Sequence, residues 1–232
     1  MRLDKASSKA IKYACLNFHY AKRLPIASIG FSVFEDNQWC GVILFNRGNI
    51  AIEKPYCLSK GSVLELIRVA LNGKQSSTSK ALSISLRLLS SIAPLTKLVV
   101  SYADQEEGHK GIIYQATNWF YEGEVKSVPL WVNPKTSKRV HDRNVTGSGV
   151  GNAFGKRQRL YRPDELIKKE QKPKHKYIYP LDKSLIPLCK SLAKPYPKKQ
   201  AQEVLPVARL APSQEEGFDS TPALKSSDDG LR

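Results

Sequence analysis

Two apolar segments of β type, separated by one helical segment, constrain the fold of this chain most strongly. Residues 63–71 read VLELIRVAL and residues 98–102 read LVVSY, and each has the length of a buried strand. Between them, a polar loop at residues 72–77 leads into a segment of helical character that runs to residue 90. A strand, a helix and a second strand in this order predict two parallel neighbours joined by a right-handed crossover.

The flanking segments extend this unit into a larger sheet. A helix is predicted over residues 8–23, with Ser7 or Ser8 as its cap and Pro25 ending it. The β-type runs at 29–35 and 39–45 predict an antiparallel hairpin. A last helix is expected over residues 110–120 and a last strand over 125–132. We therefore predict an α/β (α+β) fold with a mixed central sheet and helices on both faces.

Residues 101–121, SYADQEEGHKGIIYQATNWFY, hold the densest set of acidic, basic and hydrogen-bonding groups in the chain. This stretch begins at the end of a predicted strand. Strand ends are where α/β enzymes commonly place their sites. We therefore expect the chemistry of the protein to lie here.

Positive charge is concentrated in the middle of the chain. Residues 1–132 carry 16 Lys/Arg and 10 Asp/Glu, residues 133–199 carry 18 and 5, and residues 200–232 carry 3 and 6. We predict a catalytic core over 1–132, a basic nucleic-acid-binding extension over 133–199 that packs on it, and a disordered acidic tail over 200–232. A solvated basic surface without a partner is the alternative. The side chains expected to contact nucleic acid are Arg139, Arg143, Lys156, Arg157, Arg159, Lys174, His175 and Lys176.

Three other classes of protein are disfavoured. The four cysteines form no C-x-x-C pair and the four histidines show no ligand spacing, so neither a disulfide framework nor a local metal site is expected. A metal site built from distant residues stays open. No run approaches the roughly 18 to 20 apolar residues that span a bilayer, and residues 1–5 do not lead into an apolar signal core. A cytoplasmic protein without a membrane partner is expected.

Four segments together resemble the Mom proteins of Mu-like phages. They are ELIR at 65–68, SYAD at 101–104, GHKGIIYQATNW at 108–119 and KPKHKY at 172–177, and the resemblance spans about residues 27–180. It implies a GNAT-like acyltransferase fold. It further implies an enzyme that places a carbamoylmethyl group on the N6 amine of adenine in double-stranded phage DNA. In the host cytoplasm, this modification would shield the DNA from restriction. The target adenine would be flipped out of the duplex.

The polar stretch supplies candidates for handling such an amine. Asp104 or His109 would take or orient the amine proton, and Tyr114 would donate to a departing group or developing oxyanion. Arg68 would anchor a phosphate or pair with Asp104. Within a helix, Asn118 would share the face of Tyr114. Each of these residues also has a structural alternative, such as a cap for Asp104 or core packing for an aromatic ring. The predicted substrate contacts are Ser101, Tyr102, Gln115, Asn118 and Trp119.

The loop NGKQSSTSK at residues 72–80 is the expected donor site. A GNAT enzyme uses a Q-x-x-G-x-G/A loop to bind the pyrophosphate of acetyl-coenzyme A. Here Gln75 is present, but Thr78 and Lys80 replace the glycines. The donor therefore stays open between acetyl-coenzyme A and an aminoacyl-tRNA, and the predicted cofactor contacts are Gln75, Ser76, Ser77 and Lys80.

Two other functions stay open. One is a GNAT-like transferase that acts on an amine of RNA, protein or a small molecule. The other is a non-catalytic nucleic-acid-binding protein, in which the basic extension acts and the polar stretch at 101–121 is structural.

Overall fold

A computed structural model describes residues 1–48, 51–140, 144–153 and 156–197. The predicted acidic tail and Arg143 lie outside these residues. The helices within them are α1 (Ser8–Asn17), α2 (Thr78–Ile92), α3 (Ile112–Gln115) and α4 (Ile186–Leu192). The strands are β1 (Arg2–Lys5), β2 (Ile29–Glu35), β3 (Gln38–Asn46), β4 (Val63–Leu71), β5 (Leu98–Asp104), β6 (Phe120–Val125), β7 (Leu130–Val132), β8 (Arg139–Val140), β9 (Val150–Ala153), β10 (Lys156–Arg159), β11 (Ile167–Lys169) and β12 (Lys174–Pro180).

Seven strands form the central sheet, in the order β1-β2-β3-β4-β5-β12-β6. Strands β4 and β5 pair in parallel, and each other neighbouring pair in this sheet is antiparallel. The predicted parallel pair and the predicted β2–β3 hairpin are therefore both confirmed. Asp36 and Asn37 connect the hairpin with φ angles of 47° and 61°, as a two-residue turn between twisted strands requires.

Helices cover both faces of this sheet, as predicted for a GNAT-like mixed sheet. On one face, Ile43, Phe45 and Val99 pack with α2, through side chains such as Leu82 and Leu86. On the other face, Val42 and Leu44 pack against Ala14 and Cys15 of α1, and α4 contributes Cys189 beside Leu98 and Val100. The alternation of side chains along β3 and β5 divides the apolar core between the two faces.

Strands β4 and β5 separate halfway along their length. They pair only from Val63–Leu98 to Leu66–Ser101. Beyond that point β4 stays paired with β3 as far as Leu71, and β5 stays paired with β12 as far as Asp104. Each strand follows its outer neighbour, so a wedge-shaped opening forms between them.

A β-bulge in β4 changes the alternation of side chains along the strand. In an unbroken strand, Leu66 and Arg68 would share a face because they are two residues apart. The β3–β4 register shifts between Leu44 and Phe45, so that Leu44 is opposite Arg68 while Phe45 is opposite Leu66. Leu66 therefore packs in the α2 face of the core, whereas Arg68 lies on the α1 face.

Two helix predictions and one strand prediction are wrong in extent. Helix α1 ends at Asn17, well before residue 23. The helix expected over 110–120 is the single turn α3, because Gly111 and Asn118 at its two sides have φ angles of 72° and 58°. The strand expected over 125–132 is replaced by β6 and β7, which belong to different sheets.

The expected boundary of the folded core at residue 132 also needs correction. Strand β12 lies inside the central sheet between β5 and β6. His175 and Lys176 of this strand are buried, and Lys176 Nζ binds Glu122 Oε1 at 2.9 Å. The ammonium also lies 5.1 Å from the centroid of the Tyr56 ring. Both side chains are therefore parts of the core, and the prediction that they contact nucleic acid is not supported by their placement.

The remaining strands form two small sheets beside the central one. Strands β11, β7 and β8 form a three-stranded antiparallel sheet, and β9 and β10 form a two-stranded ribbon. Across the residues that the structure describes, no helix combines the length and apolarity needed to cross a bilayer.

Replacing Lys176 by Met should destabilise the fold, because it leaves the half-buried Glu122 carboxylate without its cation. We expect a loss of about 3 kcal/mol in the free energy of unfolding, measured by urea denaturation. The double variant Lys176→Met/Glu122→Gln should recover most of this loss. If Lys176→Met left the stability unchanged but weakened binding to DNA, the prediction that Lys176 contacts nucleic acid would stand instead.

Candidate active site

The wedge between β4 and β5 opens into a cleft of about 610 Å³. Its walls come from both strands, from the loop after β5, from α3 and from the segment that follows α1. The ionisable side chains that line it are His19, Tyr20, Glu65, Arg68, Tyr102, His109, Lys110, Tyr114 and Lys174. The cleft therefore gathers acids, bases and hydrogen-bond donors from six separate parts of the chain, the sixth being β12, which contributes Lys174.

Tyr114 and Ser101 meet at the apex of the wedge. Ser101 Oγ lies 3.0 Å from the Leu66 carbonyl oxygen and 2.8 Å from the Tyr114 hydroxyl oxygen, so its one proton can serve either acceptor. Burial raises the pKa of Tyr114 to about 12, and the bond from Ser101 opposes part of that rise. Tyr114 is therefore protonated near neutral pH and suited to donating a proton.

Glu65 is a carboxylate in the cleft that the sequence analysis did not assign to the site. Burial raises the pKa of Glu65, while the positive charges of Lys174 and Arg68 oppose the rise. A carboxylate with a raised pKa holds a proton more readily and so matches a general base more closely. The available signal was a lone acidic residue within the apolar run VLELIRVAL, because such a charge is costly to bury without a function.

Arg68 lines the cleft from the bulged part of β4. Its Nη1 donates to the Ile67 carbonyl oxygen at 2.7 Å. Its Nε is buried and has no acceptor among the described residues. A buried donor without an acceptor is costly, so this guanidinium is placed to bind an oxygen of a ligand. The structure shows no ion pair between Arg68 and Asp104, which the sequence analysis had left open.

Asp104 lies beside the cleft rather than in its lining. Its carboxylate binds Lys174 Nζ at 3.2 Å and accepts the Glu106 N–H at 3.1 Å. It therefore caps the turn after β5, which was the structural alternative, and holds Lys174 at the cleft. Lys174, which was predicted to contact nucleic acid, is thus placed with the candidate catalytic groups.

Aromatic side chains form the rim of the cleft. The Tyr20 ring lies edge-on to His109, with 5.5 Å between centroids, and 4.2 Å from the His19 ring. His19 Nδ1 accepts the Ala21 N–H at 3.1 Å. Burial lowers the pKa of His19 to about 4, with Arg68 and His109 adding to the effect, so the ring is neutral. His19 and Tyr20 were missed because they fell within a predicted helix.

The other predicted substrate contacts separate into two groups. Tyr102 lines the cleft, and burial raises its pKa to about 12. Gln115 Nε2 instead donates to the Lys110 carbonyl and lies 3.2 Å from the Tyr177 hydroxyl, so it fixes the loop that carries His109. Asn118 lies at a different surface depression, and Trp119 is fully buried in the core. The short α3 is the reason that these last two side chains do not reach the cleft.

The predicted donor loop makes most of its polar contacts within the protein, although Gln75 Oε1 is buried without a donor among the described residues. The N–H and hydroxyl of Ser76 both donate to Glu35 Oε2, at 2.7 and 2.8 Å. Ser77 caps α2 by accepting the Lys80 N–H, and Gln75 Nε2 donates to the Thr78 hydroxyl. A diphosphate at Ser76 would lie against the Glu35 carboxylate. This arrangement does not fit the pyrophosphate of coenzyme A.

The remaining predicted nucleic-acid contacts lie on the surface. Arg139, Arg157 and Arg159 are exposed, and Arg159 pairs with Glu165 at 2.6 Å. Lys156 lies in β10, but its side chain is outside the described part of the structure. Among the described residues, no group of three or more His, Cys, Asp or Glu side chains is placed to hold a metal ion.

Comparison with known proteins gives one family match and several structural likenesses. The sequence profile described as the Mom protein family matches residues 1–198. No curated protein matches the sequence.

Three solved structures illustrate the structural likenesses. A probable acetyltransferase of the GNAT family from Chromobacterium violaceum is 10% identical with a TM-score of 0.43, covering 77% of this chain and 82% of that one. An N-acetyltransferase from Staphylococcus aureus is 12% identical with a TM-score of 0.42, covering 78% and 98%. The putative acetyltransferase yncA from Salmonella typhimurium, solved with its cofactor acetyl-CoA, is 11% identical with a TM-score of 0.42, covering 79% and 95%.

Replacing Glu65 by Gln should stabilise the fold at neutral and alkaline pH. The folded-state pKa of Glu65 is raised, so the ionised carboxylate opposes folding as the pH climbs above the ordinary carboxyl range. The gain should vanish below about pH 3, where the carboxyl is protonated in both states. Urea denaturation at both pH values measures it, with the exposed Glu107→Gln as the matched control. Equal gains in both variants would contradict this account.

Replacing Gly111 by Ala should disrupt the loop that leads into Tyr114. A Cβ at Gly111 would clash with the Tyr177 ring, whereas one at Gly108, which has a similar φ, would meet nothing within 4 Å. We expect Gly108→Ala to cost about 1 kcal/mol for its left-handed backbone and Gly111→Ala at least twice that. Thermal and urea denaturation compare the two variants, and equal losses would contradict the proposed contact.

Proposed function

This chain belongs to the Mom protein family, and from that premise we propose that it transfers a carbamoylmethyl group to the N6 amine of adenine in phage DNA. The modification would protect that DNA from restriction in the host cytoplasm. The observation that carries the proposal is the cleft itself, in which a carboxylate of raised pKa and a protonated tyrosine face one opening. That pair suits transfer to a weakly nucleophilic amine.

Glu65 is the proposed general base. The exocyclic amine of adenine is a poor nucleophile because its lone pair is delocalised into the ring, so its proton has to leave as the new bond forms. Glu65 lies in the cleft with a raised pKa, which favours accepting that proton. Lys174 would stabilise the carboxylate before the transfer.

Tyr114 is the proposed proton donor to the leaving group or to the developing oxyanion. When its proton leaves, the Ser101 hydroxyl can turn from the Leu66 carbonyl oxygen and donate to the phenolate, since both acceptors lie within 3.0 Å. The bond from Ser101 lowers the pKa of Tyr114, as this role requires. Arg68, whose buried Nε has no acceptor, would bind an oxygen of the donor.

The rim is the proposed contact surface for the adenine ring. An enzyme that modifies a base takes it out of the helical stack and holds it between aromatic side chains. Tyr20 and His109 present aromatic rings at the mouth of the cleft, and Tyr102 lies further inside. These side chains supply the stacking surfaces that an extruded base needs.

The donor is proposed to be an acyl compound of one of two classes. A glycyl group and a carbamoylmethyl group are isomers, so an aminoacyl-tRNA would supply every atom of the unit. Attack of N6 on the ester carbonyl would release the tRNA hydroxyl and give a glycyl amide. An isomerisation that moves N6 to the methylene carbon and the amino nitrogen to the carbonyl carbon would then give the carbamoylmethyl group without a further reactant. An acetyl group lacks the nitrogen and would need a second reactant. The internal contacts of Ser76 with Glu35 agree better with a donor that places no diphosphate on this loop.

Expression of the chain with its phage and host factors should yield a modified adenine. We expect Glu65→Gln and Tyr114→Phe each to reduce modification about 100-fold or more, because each removes a group that moves a proton in the transition state. Nucleoside mass spectrometry measures the product and separates a carbamoylmethyl from an acetyl group by one NH, and fragmentation of the nucleoside separates it from the glycyl amide of equal mass.

The exposed variants Glu107→Gln and Tyr13→Phe are the matched controls and should keep full activity. Unmodified DNA with the wild-type chain and all factors present would overturn the proposal. Transfer to RNA, protein or a small amine without DNA would favour a transferase of different substrate.

The pH dependence of single-turnover modification should identify the base. Activity should rise with pH as Glu65 loses its proton, and the acid limb should lie above the ordinary glutamate range because burial raises the pKa of Glu65. Asp104→Asn should lower the rate, because Lys174 would lose the carboxylate that holds it at the cleft, but the acid limb of the pH profile should remain. Glu65→Gln should abolish that limb. Loss of the limb in Asp104→Asn alone would make Asp104 the base.

A further inference from the structure

The β9–β10 ribbon stands apart from the central sheet. Its strands pair Lys156 with Ala153, Arg157 with Asn152, Gln158 with Gly151 and Arg159 with Val150, and they form a sheet of their own. Neither strand pairs with another described strand. The ribbon therefore projects two faces instead of completing a larger sheet.

The two faces of the ribbon differ in character. Gly151 turns inward, because a Cβ there would lie 2.7 Å from Leu160 Cδ1, and Leu160 itself is buried. Residues opposite each other in an antiparallel pair share a face, and alternate residues share it along each strand. The outer face therefore carries Val150, Asn152, Arg157 and Arg159, which are all exposed.

This outer face is cationic and has no acidic member. Arg157 makes no ion pair with any described residue. Arg159 pairs with Glu165, but 81% of the Arg159 side chain is exposed, and such a surface pair is worth no more than about 1 kcal/mol. Both guanidinium groups can therefore bind an external anion, because giving up their present contacts costs little free energy.

We propose that the outer face of the β9–β10 ribbon docks in the major groove of duplex DNA. The major groove is about 12 Å wide and admits a two-stranded ribbon. Four residues of a strand extend over about 13 Å, so the ribbon matches the groove in size. Arginine pairs with guanine and asparagine with adenine through two hydrogen bonds each. Arg157 and Asn152, opposite each other, therefore form a unit for reading base edges.

This inference rests on the proposed function, in which the substrate is double-stranded DNA. It adds a role for the ribbon: positioning the duplex, and selecting the sequence around the adenine that enters the cleft. Duplex RNA is the competing partner with the same phosphate charge. Its major groove is deep and too narrow for side chains to read, so the ribbon fits the DNA duplex better.

The test measures binding of the full chain to a fluorescent DNA duplex by anisotropy over a range of salt concentrations. Arg157→Ala/Arg159→Ala should weaken binding about tenfold or more and lower the slope of log affinity against log salt by about 2. The matched control, Lys183→Ala/Lys190→Ala, removes two exposed cations beside or within α4 and should leave both quantities near the wild-type values. Duplex RNA of the same sequence should bind more weakly and respond less to the ribbon variant.

Three results would overturn the docking inference. They are equal losses in ribbon and control variants, no loss in the ribbon variant, and preferential binding of duplex RNA. Asn152→Ala supplies a separate readout, because it should change which sequences around adenine are modified. An unchanged pattern of modified sites would contradict base reading by the ribbon.

These outcomes separate the inference from the proposed function. If the ribbon variant binds as the wild type does and still modifies adenine, the docking site is wrong and the transferase stands. If the wild-type chain neither binds duplex DNA nor modifies it, both fail. If the inference holds, concentrated DNA at low salt should restore modification by the ribbon variant, because the groups in the cleft are intact.

Discussion

The site depends on the interrupted pairing of two parallel strands. Strands β4 and β5 exchange hydrogen bonds only as far as Leu66 and Ser101, because each strand then follows its antiparallel neighbour on the other side. The bulge at Ile67 and Arg68 keeps β4 on β3, and β12 holds β5 to its end. Backbone groups at the parting would be buried without partners. The Ser101 hydroxyl provides a bond to the Leu66 carbonyl there, and the same hydroxyl contacts Tyr114.

The same opening explains the ionisation of the site. Glu65 sits in an otherwise apolar strand, and burial on the walls of the wedge disfavours its charge. Lys174 and Arg68 partly compensate, so the carboxylate is neither fully paired nor fully solvated. A closed β4–β5 pair would leave no room for a substrate beside it. The strand separation therefore creates both the space of the cleft and the environment that raises the pKa of Glu65.

Local sequence patterns predicted the strands well, whereas the bulge, the length of α3 and the make-up of the cleft depend on contacts between distant segments. The apolar alternation at residues 29–35, 39–45 and 63–71 gave β2, β3 and β4, and the polar interval between β4 and β5 gave the parallel crossover. No local pattern reveals the bulge, because it depends on how β3 and β4 align. The α3 turn looked like a longer helix because Asn118 can adopt a left-handed backbone that its residue type only weakly signals. The acidic residue in the apolar run VLELIRVAL marks Glu65 as unusual, but its place in a cleft depends on the wedge between β4 and β5, which involves two distant segments.

Charge counts over a segment cannot separate cations of different roles. Lys174, Lys176 and Arg157 all belong to the basic stretch after residue 132, yet the fold places them at the cleft, in the core and on the ribbon. Lys176 pairs with Glu122, which also accepts the Tyr56 hydroxyl. Its charge is therefore neutralised inside the protein and contributes little to the electrostatic potential at the surface. The cations that an external anion can reach are exposed ones such as Arg157. Charge aligned along one ribbon face also gives the attraction for that anion an orientation, which the same net charge scattered over the surface would not.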